Sequence, residues 1–160
     1  MKKVLGLLSI LIVSFYHTAI ANDPNENELL SFITTNPNTV SQEKVASILG
    51  SPIKIEEFRK RVLWHYKYGN SDLVISWNKK SELADKFSFR VNSSTKPEYN
   101  NALSRKLKSG ETDITQALKI LGSPHDMIIK PTKQEMHYNY NNKVLRLFFR
   151  DRKLVDFCLY

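Results

Sequence analysis

Two kinds of hydrophobic spacing alternate along this chain, and each occurs twice. Val45, Ile48 and Leu49 recur at the three- and four-residue intervals of one helical face. Ser41 stands before them as an N-cap, Gly50 supplies the left-handed C′ position, and Pro52 forbids continuation. The pattern returns in Ile114, Ala117, Leu118 and Leu121, with Asp113 as cap, Gln116 as its capping-box partner, and Gly122 and Pro124 as the stop. Each of these helices is preceded by a short first helix, Glu28 to Thr35 and Tyr99 to Lys108, and by the turn signals Pro37-Asn38 and Ser109-Gly110. Beyond each proline the period drops to two. Trp64, Tyr66 and Tyr68 alternate with more polar neighbours, then Leu73, Ile75 and Trp77 after the Gly69-Asn70 turn, then Phe87 and Phe89. The second series is Met136, Tyr138 and Tyr140, a turn at Asn141-Asn142, then Leu145, Leu147 and Phe149, and last Leu154 to Tyr160. The segments Ile53 to Phe58 and His125 to Ile129 are each long enough for one further short strand.

The two series share one register. Leu49-Gly50-Ser51-Pro52 matches Leu121-Gly122-Ser123-Pro124 at an offset of 72, and the same offset carries His65-Tyr66 onto His137-Tyr138 and Trp77 onto Phe149. Several matches at one offset mark an internal repeat. The pattern predicts an α+β fold of two tandem units, 22–94 and 95–160, each a helix pair packed on an antiparallel meander of three to four strands.

Helices that cover one face of a sheet leave the other open. The matched large residues Trp64/Met136, Tyr66/Tyr138, Leu73/Leu145, Ile75/Leu147 and Trp77/Phe149 share one alternation and are the expected core lining. The opposite alternation carries Val74, Asn139 and Val144 among more polar residues. From it His65, Lys67, Ser76, His137, Arg146 and Phe148 stand out as candidate partner-binding residues, mixed in charge and partly aromatic.

The first 21 residues change the compartment. Lys2 and Lys3 precede an apolar run from Val4 to Phe15 and a small-x-small site at Ala19-Ile20-Ala21, the layout of a cleaved signal peptide. The expected product is periplasmic or secreted. After Ala21 no stretch is long or apolar enough to be a second membrane helix. Of the 24 Lys and Arg, two lie in this leader, leaving 22 against 16 acidic residues, a net +6. Nucleic acid is a poor partner for an exported chain. The basic turns Lys79-Lys80 and Arg150-Asp151-Arg152-Lys153 suit an anionic envelope component, lipid or polysaccharide, as the alternative to a protein partner. Cys158 is the single cysteine, so no internal disulfide forms, and its apolar surroundings suggest a buried side chain.

Catalytic chemistry finds little footing. There is no G-x-S-x-G elbow and no P-loop. Glu56 and Glu57 are adjacent in a strand and point to opposite faces. H-E-x-x-H and C-x-x-C spacings are missing, and His65 and His137 would have to meet across the joint between units. Neither an enzyme nor a metal or cofactor is expected.

The helix ending in Leu49-Gly50-Ser51-Pro52, followed by Trp64-His65-Tyr66 in the first long strand, resembles the small domain of the BamE-like (SmpA/OmlA) family. Two such units in tandem resemble the two-repeat β-lactamase inhibitory protein family. The resemblance implies a joined, saddle-shaped sheet and a non-enzymatic role through protein contact. The chain departs from both, with no lipid-attachment cysteine after its leader and no disulfide.

Overall fold

The computed structural model describes residues 26–93, 99–141 and 143–160. The expected signal peptide and the boundary between the two units at 94 and 95 lie outside these residues.

Helix α1 (Glu26–Ile33) leads through a 3₁₀ turn at Pro37–Thr39 into α2 (Gln42–Leu49). Four strands follow, β1 (Lys54–Glu57), β2 (Arg61–Tyr68), β3 (Ser71–Asn78) and β4 (Ala84–Val91). Then come α3 (Asn101–Ser104), α4 (Ile114–Leu121), β5 (Asp126–Ile129), β6 (Lys133–Asn139), β7 (Val144–Arg150) and β8 (Lys153–Leu159). All eight strands form one antiparallel sheet in sequence order, so β4 and β5 join its two halves.

Local chemistry explains most of these limits. Asp113 accepts the N–H of Gln116 while the Gln116 side chain accepts the N–H of Asp113, both at 2.8 Å, closing a capping box on α4. Ser41 caps α2 through a longer bond to Lys44 N–H, 3.3 Å. Both helices end in glycine, Gly50 at φ 71°, ψ −156° and Gly122 at φ 78°, ψ −162°. The φ is positive as expected, but the extended ψ differs from a left-handed cap. It sends the chain straight towards the next strand through backbone that only glycine adopts readily. Short hairpins join consecutive strands within each half, but not β4 to β5. In the β7–β8 turn Asp151 and Arg152 both have positive φ, 49° and 69°, the twist a two-residue hairpin needs.

One helix is shorter than expected. The helix read over Tyr99 to Lys108 contracts to the four residues of α3. Bonds from Lys106 N–H to Leu103 O and from Leu107 N–H to Ser104 O tighten its end into 3₁₀ geometry. Of the next four residues only Leu107 is buried, so no apolar stripe prolongs the helix.

A single core lies between the helices and one face of the sheet. Leu29, Ile33, Val45, Leu49, Ile114 and Ala117 from the helices join Leu73, Ile75, Trp77, Phe87, Met127, Met136, Leu145 and Leu147 from the strands. Phe32 of α1 meets Phe87 of β4 at a ring separation of 5.5 Å. Trp64 is half-buried and packs edge-on against Trp77, 5.1 Å away.

Candidate functional site: the open face of the sheet

Strand alternation gives every residue opposite the core a place on the second face. Register then orders these residues into rows. One row runs Lys67, Asp72, Arg90, Asp126, His137 and Arg146 across β2 to β7. A second runs His65, Val74, Ser88, Ile128, Glu135 and Phe148.

From Lys67 to Asp126 the first row alternates in charge, as cross-strand neighbours prefer. Arg90 Nε donates to Asp126 Oδ1 at 2.7 Å, and that carboxylate raises the Arg90 pKa further. Lys67 Nζ lies 3.9 Å from Asp72, which also accepts from the Asn92 amide. At the centre of the face is a depression of about 440 Å³. Val74, Ser88 and Ile128 line it together with Asp72, Arg90 and Asp126, and the well-exposed Ile53 stands at its edge. It spans the β4–β5 seam, so both halves of the chain build it.

Of the residues singled out from sequence, His65 lines this depression and the others lie on β2, β3, β6 and β7 to either side of it. On β2 and β3, Lys67 is exposed, while His65 is half-buried with Nε2 3.3 Å from Glu56. Lys54 beside Glu56 is the largest cause holding that carboxyl below its usual range. On β6 and β7, His137 Nε2 lies 3.5 Å from Glu135. Arg146 is exposed with its guanidinium 5.4 Å from the centre of the Tyr160 ring, and Phe148 is half-buried beside Glu135 and Asp156.

Two expectations need correction, for Ser76 and Cys158, and one possibility, a meeting of His65 and His137, is closed. Ser76 is only 2% exposed, a short side chain placed in register between Leu63 and Lys86 beside a β-bulge, and offers nothing to a partner. His65 and His137 do not meet, because β3, β4 and β5 lie between their strands. Four strand spacings put them about 19 Å apart. Cys158 is half-buried rather than buried; it faces the Arg146 row, and its Sγ donates to the Tyr160 hydroxyl at 3.1 Å.

Asp72, Ser88, Arg90, Asp126 and Ile128 escaped the sequence reading. Alternation alone puts Ser88 and Arg90 opposite Phe87 and Phe89. What alternation cannot reveal is that β5 pairs with β4, since no hairpin links them. Among the described residues no group of three His, Cys, Asp or Glu is placed to hold a metal, and no helix is long and apolar enough to cross a membrane.

No family model matches the chain, and no curated protein matches it. Among solved structures, a Streptococcus mutans protein described as a candidate β-lactamase inhibitor has the same fold. It covers 86% of this chain and 98% of its own, at 18% identity and a TM-score of 0.53. Likeness at this identity shows the fold alone. A DUF4309-family protein of Bacillus subtilis covers 76% of this chain and 78% of its own at 16% identity, with a TM-score of 0.28, too low to carry an argument. The inhibitor-like side of the resemblance thus has a structural counterpart.

Proposed function

We propose that this protein is an exported, non-enzymatic binding or inhibitory module that holds a protein partner on the open face of its sheet. In this reading the chain is cleaved after Ala21, works in the periplasm or outside the cell, and arose by duplication of one unit of two helices and four strands. The observation that carries it is the central depression, where charged residues ring a floor of Val74, Ser88 and Ile128. Interfaces favour this mixture of a small apolar centre and a polar rim. The inhibitor-like fold of the S. mutans protein supports the same class of function.

The face reading has more support than anionic lipid or polysaccharide held by the basic turns. Lys79 is already paired with Glu57 at 2.8 Å, and Arg152 donates to the Thr34 carbonyl. Those side chains are tied to the protein itself.

Capture from the native envelope tests the proposal. Arg146→Ala combined with Phe148→Ala is expected to cut recovery of a specific partner at least tenfold while the melting temperature barely moves. Undiminished capture by this folded double variant rules the face out. A bound species released steeply by moderate salt, insensitive to these two changes, points to polyanion binding instead.

A further inference from the structure

The two halves of the sheet end differently, although their strands correspond in register. Leu73 and Ile75 of β3 face Phe89 and Phe87 of β4. The equivalent Leu145 and Leu147 of β7 face Leu159 and Phe157 of β8. Phe157 and Leu159 therefore stand where Phe87 and Phe89 stand. Yet Phe87 and Phe89 are 1% and 2% exposed, while Phe157 and Leu159 are 41% and 40% exposed. The difference is one strand. β5 lies along β4, pairing Ile129 with Phe87 and Met127 with Phe89, whereas among the described residues no strand lies along the outer edge of β8.

The sheet also offers a strand of the missing kind. β1 stands to β2 as β5 stands to β6, since Lys54 faces His65 as Asp126 faces His137. Ile55 of β1 thus occupies the place of Met127, and it is 54% exposed where Met127 is 1% exposed. Both outer edges carry apolar side chains that the inner seam buries.

We propose that copies of this protein associate head to tail, β1 of one copy adding to β8 of the next in the register of the β4–β5 seam. Leu159 then pairs with Ile55 of the second copy and Phe157 with its Glu57. Cys158 faces the second copy's Glu56, and Arg146 lies on the same row two strand spacings away. Extended strands recognise a free edge through main-chain hydrogen bonds and alternate side chains. The Phe157 N–H points away from β7 and is held by the Asp156 carboxylate at 2.8 Å, an exposed local bond that a ladder bond replaces. The segment from Ser109 to Asp113 covers β8 at Lys153, Leu154 and Val155, leaving Phe157 and Leu159 open. Because the two edges differ, the contact is heterologous rather than a two-fold pairing, and each copy keeps one free edge for the next. The result is an open-ended series of copies rather than a symmetric dimer.

Sedimentation equilibrium of the purified, processed protein through the micromolar range tests this. The unmodified protein is expected to gain mass steadily with concentration. Ile55→Lys alone and Phe157→Lys alone should each be monomeric, because every joint needs both edges. An equimolar mixture of the two variants should give a one-to-one heterodimer, since one intact β8 and one intact β1 remain. Should either variant lose its cooperative melt, Ile55→Glu and Leu159→Lys replace them. A monomer at every concentration overturns the proposal. So does a homodimer that survives Ile55→Lys, which would mean that β8 pairs with β8.

Discussion

Tyr66 and Tyr138 show how single side chains tie helix to sheet. Each lies on the core face, and each hydroxyl donates to the carbonyl of the glycine that ends the preceding helix. Tyr138 reaches Gly122 at 3.0 Å, and Tyr66 reaches Gly50 at a looser 3.4 Å. Tyr138→Phe leaves a carbonyl short of a partner and is expected to cost about 1 kcal/mol in chemical unfolding, with Tyr66→Phe costing less. Burial raises the Tyr138 pKa above its ordinary 10.0, because the phenolate cannot be hydrated there. A raised folded pKa gives stability that is whole below the unfolded value and is lost as pH climbs towards the folded one. The melting temperature should therefore fall as pH rises above about 10, and fall less steeply in Tyr138→Phe. Equal alkaline slopes for the two proteins would argue against this role. The sequence placed both tyrosines in the core. It did not show the glycine bond, which spans 16 residues and forms only when the helix lies on the strand.

Among the elements, local signals were the most legible. Asp113 and Gln116 are three residues apart and form their box with no help from the rest of the fold. Asp113→Ala is expected to lower stability by about 1.5 kcal/mol, against about 0.5 for Ser41→Ala, whose single bond is longer. Urea midpoints at constant m-value would measure both, and equal losses would show that the box adds nothing to a lone cap. Strands β5, β6 and β7 were legible because more and less buried positions alternate strictly along them. Helix α3 was not, since a basic segment with one buried leucine has no stripe to hold it helical beyond Ser104. Ser76 misled for a related reason, because alternation gives a face but not the length of the neighbours on it.

For the molecule as a whole, the seam between β4 and β5 decides most. It buries Phe87, Phe89, Met127 and Ile129 and brings the two halves onto one sheet. Both tryptophans, Trp64 and Trp77, lie in the first half, so their fluorescence reports on it alone. Met127→Ala, made in the second half, should cost about 3 kcal/mol. If the molecule unfolds as one unit, the tryptophan midpoint must move as far as the far-ultraviolet circular dichroism midpoint. An unmoved tryptophan signal would mean that the halves melt independently.

Periodicity, capping residues, prolines and turns act over a few neighbours, and they determined the α+β class, the strand series and the face that becomes the core. The pairing of β4 with β5 has no such local cause. It depends on two strands far apart in the chain finding the same apolar surface, and only the tertiary structure decided it. The central depression, the separation of His65 from His137 and the unequal exposure of Phe87 and Phe157 all follow from that one pairing.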